Sequence, residues 1–177
     1  KKSNEKSVKY AMESLNISIK SYISFLNSPN LKNATEMSLA SNLAGKAINI
    51  SKTTAPHAVS YPFTSLFNIS HGHAVSLFFE NFFNFNYVNL NRSVTSFDLR
   101  KRYESIFEIF NVKNINELIF EISNLKKKAS LNDNLLELNI NFSRDSENIL
   151  NGINLLRLSN NPVKIDHKDI YKIINRS

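Results

Sequence analysis

Thr53-Thr54-Ala55-Pro56-His57-Ala58-Val59-Ser60-Tyr61-Pro62, followed by Asn68-Ile69-Ser70-His71-Gly72-His73-Ala74-Val75, is the stretch from which the rest of the chain is read. It gathers three of the four histidines, two of the four prolines and one of the three glycines. Pro56 suits the first turn of a helix, where its missing N–H costs nothing, so His57 is expected at a helix start. A turn follows, and His71 opens the next apolar pattern, fourteen positions after His57. Neutral imidazoles on two successive helices can converge on one divalent metal. Taken singly, each could equally be a helix cap or a satisfied core residue. Tyr61 lies one turn after His57 on the same helical face. Its hydroxyl could meet a substrate oxygen or anion, or its ring could simply pack. His73 is turned about 200° from His71 by the helical period. It is read either as a polar residue of the helix start or as a side chain facing a substrate pocket. His167 lies beside a helix start far from this stretch and is expected at the surface.

Outward from this segment, apolar residues recur at helical spacing and alternation of period two is scarce. Val8, Met12, Leu15, Ile19, Tyr22 and Leu26 form one stripe, with Ser3-Asn4 as candidate caps and Ser28-Pro29 as its end. A second pattern, from about Ala34 to Ser51, sets Met37, Ala40, Ala44, Ala47 and Ile48 on one side. Leu99, Tyr103, Ile106 and Phe110 form a third stripe behind Ser96 as a candidate cap. Ile115, Leu118, Ile122 and Leu125 form a fourth, and Ile149, Ile153 and Leu156, then Ile170 and Ile173, complete the set. Asp166-His167-Lys168-Asp169 reads as a helix start. The 130–142 stretch is ambiguous, since Leu138, Ile140 and Phe142 alternate, but the Asn between them argues for a loop. The phenylalanines at 63, 67, 78, 79, 82, 83 and 85 read mostly as core. The expected fold is an all-α bundle of seven to nine helices.

With 177 residues the chain can bury a sizeable core. The three glycines stand isolated at 45, 72 and 152, which excludes a glycine-rich phosphate loop. The absence of cysteine excludes disulfides and a thiol nucleophile, in keeping with a cytoplasmic location. No signal peptide or membrane span is visible, since Glu80, Asn81 and Asn84 break the apolar run from Leu77 to Phe85. The net charge of +7 is scattered. Arg100-Lys101-Arg102 and Lys126-Lys127-Lys128 carry no interleaved aromatics, so they read as solvated surface rather than a nucleic-acid site. Abundant Asn, Lys and Ile read as compositional bias. The opening Lys-Lys-Ser, running directly into a helical pattern, suggests a piece of a longer polypeptide.

The His57–His71 segment resembles the C-terminal signature of the iron-containing, metal-dependent alcohol dehydrogenases. Tyr61-Pro62 stands where His-Pro is common in that family, and Ser70-His71-Gly72 where Pro-His-Gly is common. The small-residue run Ser38–Ala47 and the Asn160-Asn161-Pro162-Val163 segment with Ile165 and Asp166 extend the likeness. Dehydroquinate synthases, which are related, space their histidines more widely. Lys52 to His57 together with His71-Gly72-His73-Ala74-Val75 looks most like the subgroup of phosphonoacetaldehyde reductases. The resemblance implies that residues 1–177 are a C-terminal helical metal-binding domain, with His57 and His71 as ligands of a divalent metal, Fe2+ or Zn2+. It implies Tyr61 and His73 as candidate substrate contacts, Tyr61 replacing a histidine thought to relay the alcohol proton. The remaining ligands, an aspartate and often a histidine, and the NAD(P) site would lie on a preceding nucleotide-binding domain. The full enzyme would then be an NAD(P)-dependent alcohol dehydrogenase acting on a small alcohol or aldehyde, this chain alone being inactive. No nucleic-acid or membrane partner is expected, and a homodimer is allowed. The competing reading is a non-catalytic all-α binding module with structural histidines.

Overall fold

The computed structural model describes residues 1–175. The α-helices among them are α1 (Glu5–Asn27), α2 (Leu31–Ser51), α3 (Ala55–Phe67), α4 (His71–Ser76), α5 (Phe79–Val88), α6 (Leu99–Phe110), α7 (Ile115–Lys128), α8 (Phe142–Asn151), α9 (Leu155–Leu158) and α10 (His167–Ile174). A 3-10 turn spans Leu90–Arg92, and a single antiparallel bridge joins Ser93 to Val163. The chain is all-α as the periodicity implies. α9 is barely one turn, so nine helices of six residues or more remain among the described residues.

Asparagine sets many of these boundaries. The Asn4, Asn30, Asn114, Asn141 and Asn154 side chains each accept a backbone N–H in the first turn of the helix they precede. Asn68, Asn111 and Asn139 adopt the left-handed region, with φ of 54°, 55° and 61°. Asparagine tolerates that region better than other L-residues. The asparagine content is therefore put to structural use in a chain with few glycines, a role that a reading of it as compositional bias misses.

The backbone groups into two compact units. The first comprises Lys1–Lys52 and Arg100–Ser130. There α1 and α2 pack side by side, and the fully buried positions of α1 are Ser7, Ser14 and Ser21 rather than the expected apolar stripe. Ser14 Oγ donates to the Ala40 carbonyl at 2.7 Å and Ser21 Oγ to Glu36 Oε2 at 2.6 Å. Small side chains let the two backbones approach; the Ser14 and Ser21 hydroxyls are satisfied across the seam, and that of Ser7 by the Asn4 carbonyl at the start of α1. Of that stripe Val8, Met12, Leu15, Ile19 and Tyr22 are only half-buried and Leu26 is exposed. On α2, Ala40, Leu43 and Ala47 are buried, whereas Ile48 points outward. α6 begins at Leu99, so Ser96 lies outside it.

The second unit comprises Thr53–Leu99 and the described chain from Leu131. Its core holds Val59, Phe63, Phe78, Phe82, Ile140, Ile149, Ile170 and Ile174, the Phe63 and Phe78 rings lying 4.8 Å apart. Each such side chain stabilises by about 1.5–3 kcal/mol on burial. The 131–141 segment is a loop, as expected, and presents Leu135 and Ile140 to this core. α10 starts on a capping box in which the Asp166 carboxylate accepts from the Asp169 N–H.

Candidate metal centre

α3 and α4 position the histidines. Pro56 occupies the first turn of α3 and His57 follows it. Asn68, in the left-handed conformation (φ 54°, ψ 30°), ends α3 and turns the chain. α4 then starts at His71. The reversal brings His57 Nδ1 to 3.2 Å from His71 Nε2, with the rings 5.3 Å apart and tilted by 47°. That separation lies inside the ~3–4 Å expected of two nitrogens each about 2.0–2.1 Å from one tetrahedral ion. His57 is half-buried and His71 is exposed.

Ser60, which sequence reasoning passed over, sets the tautomer. Its hydroxyl donates to the His57 carbonyl at 2.9 Å, so its oxygen is left to accept from His71 Nδ1 at 3.4 Å. A proton on His71 Nδ1 leaves the Nε2 lone pair directed at His57. Burial, then the neighbouring His71 and Arg157, push the His57 pKa below its ordinary value. At neutral pH His57 is therefore the uncharged imidazole that ligation requires. The pair offers two nitrogen donors to an ion, and no cluster of three or more metal-binding side chains occurs among the described residues. The donor set fits part of a divalent-metal site.

Tyr61 joins the cluster, its ring 5.8 Å from that of His71. The next residue determines what lies beyond it. Pro62, inside α3, has no N–H for the Ala58 carbonyl four residues earlier. Asn154 fills the gap from α9, its backbone N–H donating to Ala58 O at 3.2 Å. The same junction is pressed against α3 at Gly152, where an added Cβ would lie 2.8 Å from Pro62 Cβ. α9 is thereby held against the site, and its Arg157 guanidinium lies over the Tyr61 ring, 5.5 Å from the centroid. Arg157 also donates to Thr53 Oγ1. Nothing in the local sequence around Arg157 signals this, because α3 and α9 meet only in the fold.

His73 takes a different direction. Its Nε2 donates to the Asn132 carbonyl at 2.6 Å, which ties α4 to the 131–141 loop. His167 is exposed at the start of α10. The structure thus brings His57, His71 and Tyr61 together, adds Ser60 and Arg157, and engages His73 with backbone.

Residues 2–177 match the family model for the C-terminal part of the Fe-containing alcohol dehydrogenase family. No curated protein sequence matches the chain. Among solved structures, sulfoacetaldehyde reductase from Bifidobacterium kashiwanohense, in complex with NAD+, superposes with a TM-score of 0.83 at 23% identity, over 98% of this chain and 44% of that one. A 1,3-propanediol oxidoreductase gives 0.85 at 19% identity, over 99% and 46%. The archaeal alcohol dehydrogenase ADH/D1 from a Red Sea brine pool gives 0.84 at 20% identity, over 95% and 43%. These likenesses establish the fold, and the chain spans less than half the length of each of these structures.

Proposed function

The chain belongs to the Fe-containing alcohol dehydrogenase family, and from that premise we propose that it is the metal-holding helical part of an NAD(P)-dependent alcohol dehydrogenase or aldehyde reductase. The observation that carries the reading is the 3.2 Å approach of His57 Nδ1 to His71 Nε2. His57 and His71 would hold a divalent ion, Fe2+ or Zn2+, together with ligands from the nucleotide-binding part of the enzyme. Such an ion polarises a substrate carbonyl, or lowers the pKa of the corresponding alcohol, for hydride exchange with a nicotinamide.

The chain's own residues prepare the site. Ser60 holds the His71 ring in the tautomer whose Nε2 is free to ligate. The Tyr61 ring lies beside the pair, and its hydroxyl would hydrogen-bond a substrate oxygen. A phenol is a poorer proton relay near neutral pH than an imidazole, so Tyr61 is assigned to orientation. His73 positions the 131–141 loop through Asn132, and contact with substrate would require that bond to open. A small alcohol or aldehyde, and the nucleotide-binding part of the enzyme, are the partners this reading requires.

The test is metal content measured alongside steady-state reduction of aldehydes by the full-length protein. His57→Ala and His71→Ala should each lose metal and activity together. Tyr61→Phe should keep the metal and show its defect in turnover or substrate affinity. The present chain alone should give a helical circular dichroism spectrum without aldehyde-dependent NAD(P)H oxidation. Full metal and activity in His71→Ala would instead favour a binding module with structural histidines.

A further inference from the structure

Arg157 sits where a cation is costly. The bonds of its guanidinium are one to Thr53 Oγ1 and a face-on contact with Tyr61, and no carboxylate among the described residues pairs with it. Its side chain is half-buried against α3, and its charge is felt at His57. A partly desolvated cation without a counter-charge is unfavourable, and one beside a metal site also repels the ion. The fold nevertheless spends several contacts on holding it there. Pro62 frees the Ala58 carbonyl, Asn154 occupies it, and the Asn154 side chain accepts the Arg157 N–H at 3.0 Å to start α9. Thr53 is fixed in turn by Asn160, whose Nδ2 donates to the Thr53 carbonyl at 3.0 Å.

We propose that Arg157 is a specificity-determining residue that binds an anionic group on the substrate, selecting short aldehydes or alcohols that carry a carboxylate, sulfonate or phosphonate near the reacting carbon. This rests on the dehydrogenase reading of the His57–His71 pair. A planar guanidinium suits such an oxyanion because it offers paired, divergent N–H donors. The Tyr61 ring lies between Arg157 (5.5 Å) and the tilted ring of His71 (5.8 Å), so a small molecule lying along that ring would place its anion on Arg157 and its oxygen toward the histidines. The substrate then supplies the missing counter-charge, and a neutral aldehyde of the same size leaves it unmet.

The test compares sulfoacetaldehyde with propanal as substrates of the full-length protein, wild type against Arg157→Met and Arg157→Lys. Metal content and calorimetric binding of ethanesulfonate, an unreactive anion, are measured in parallel. The wild type should prefer the anionic aldehyde, and in Arg157→Met the ratio of the two kcat/KM values should fall by roughly 10- to 100-fold, the range of a charge-assisted hydrogen bond. Ethanesulfonate binding should weaken by a similar factor while metal content holds, and Arg157→Lys should recover part of both. An unchanged preference in Arg157→Met, an equal loss on both aldehydes, or no ethanesulfonate binding to the wild type would overturn the proposal. A wild type that holds no metal and reduces neither aldehyde would sink the dehydrogenase reading instead. The ethanesulfonate measurement would still decide whether Arg157 binds anions.

Discussion

Asn68 decides whether His57 and His71 meet. Its backbone is left-handed (φ 54°), and the three-residue link it opens is all that separates α3 from the His71 helix start. Asn68→Val places a β-branched side chain in that region and should cost about 1–2 kcal/mol. Asn68→Gly, which has no Cβ to strain, should stay close to the native stability. Urea denaturation of the two variants measures the difference, and metal affinity should follow the same order because the turn sets the approach of the rings. The sequence shows His57, His71 and their spacing plainly. It does not show that Ser60 orients His71, although a hydroxyl three residues after a candidate ligand is a usable signal.

At the scale of elements, the contact of α3 with the α8–α9 junction is the site's main support. It depends on Pro62, which local propensity would reject inside a helix, and on Gly152, the C-cap of α8, where glycine is ordinary but here also leaves room for Pro62. Gly152→Ala would drive a methyl group to 2.8 Å from Pro62 Cβ. Backbone must yield there, since neither partner is a flexible chain end, and the expected loss is about 1–3 kcal/mol in thermal or chemical unfolding. Arg157 would move with α9, so any discrimination between anionic and neutral substrates should also fall. Pro62→Ala acts differently. It restores an N–H that competes with Asn154 for the Ala58 carbonyl, and amide exchange at Asn154 should accelerate. The α1–α2 pair shows why such contacts resist prediction. Hydrophobic periodicity marks the apolar stripe, yet the buried positions of α1 are Ser7, Ser14 and Ser21, and Ser14 and Ser21 bond directly to α2, as small residues allow.

For the whole molecule, acid is the informative perturbation. The Asp166 carboxylate is held below its ordinary pKa by the Asp169 N–H, with help from the Lys168 N–H and Arg92. Arg144 does the same for Asp145. Groups depressed in the folded state bind fewer protons there than in the unfolded chain, so stability rises with pH. Their contribution is fully present above the unfolded value of 3.8 and is lost as pH falls through the lower folded values. A chain already at +7 becomes more positive over the same range. Urea midpoints should drop between pH 4 and pH 2, and Asp166→Asn, which keeps a capping oxygen but cannot titrate, should flatten part of that drop. No helix among the described residues is long and apolar enough to cross a membrane.

Helical class, the capping of α1 and α10, the loop that ends at Asn141 and the two histidines are all legible along the chain. Each depends on neighbours within a few positions, where periodicity, caps and turns act. Only the tertiary structure decided the partners of those histidines. His73 meets the Asn132 carbonyl and Arg157 lies over the Tyr61 ring because segments distant in sequence dock, and docking of α9 on α3 depends on which residues are small enough, or lack an N–H, at the point of contact. Pro62 and Gly152 look like helix breakers when read locally. In the fold they are the positions through which α9 reaches the site.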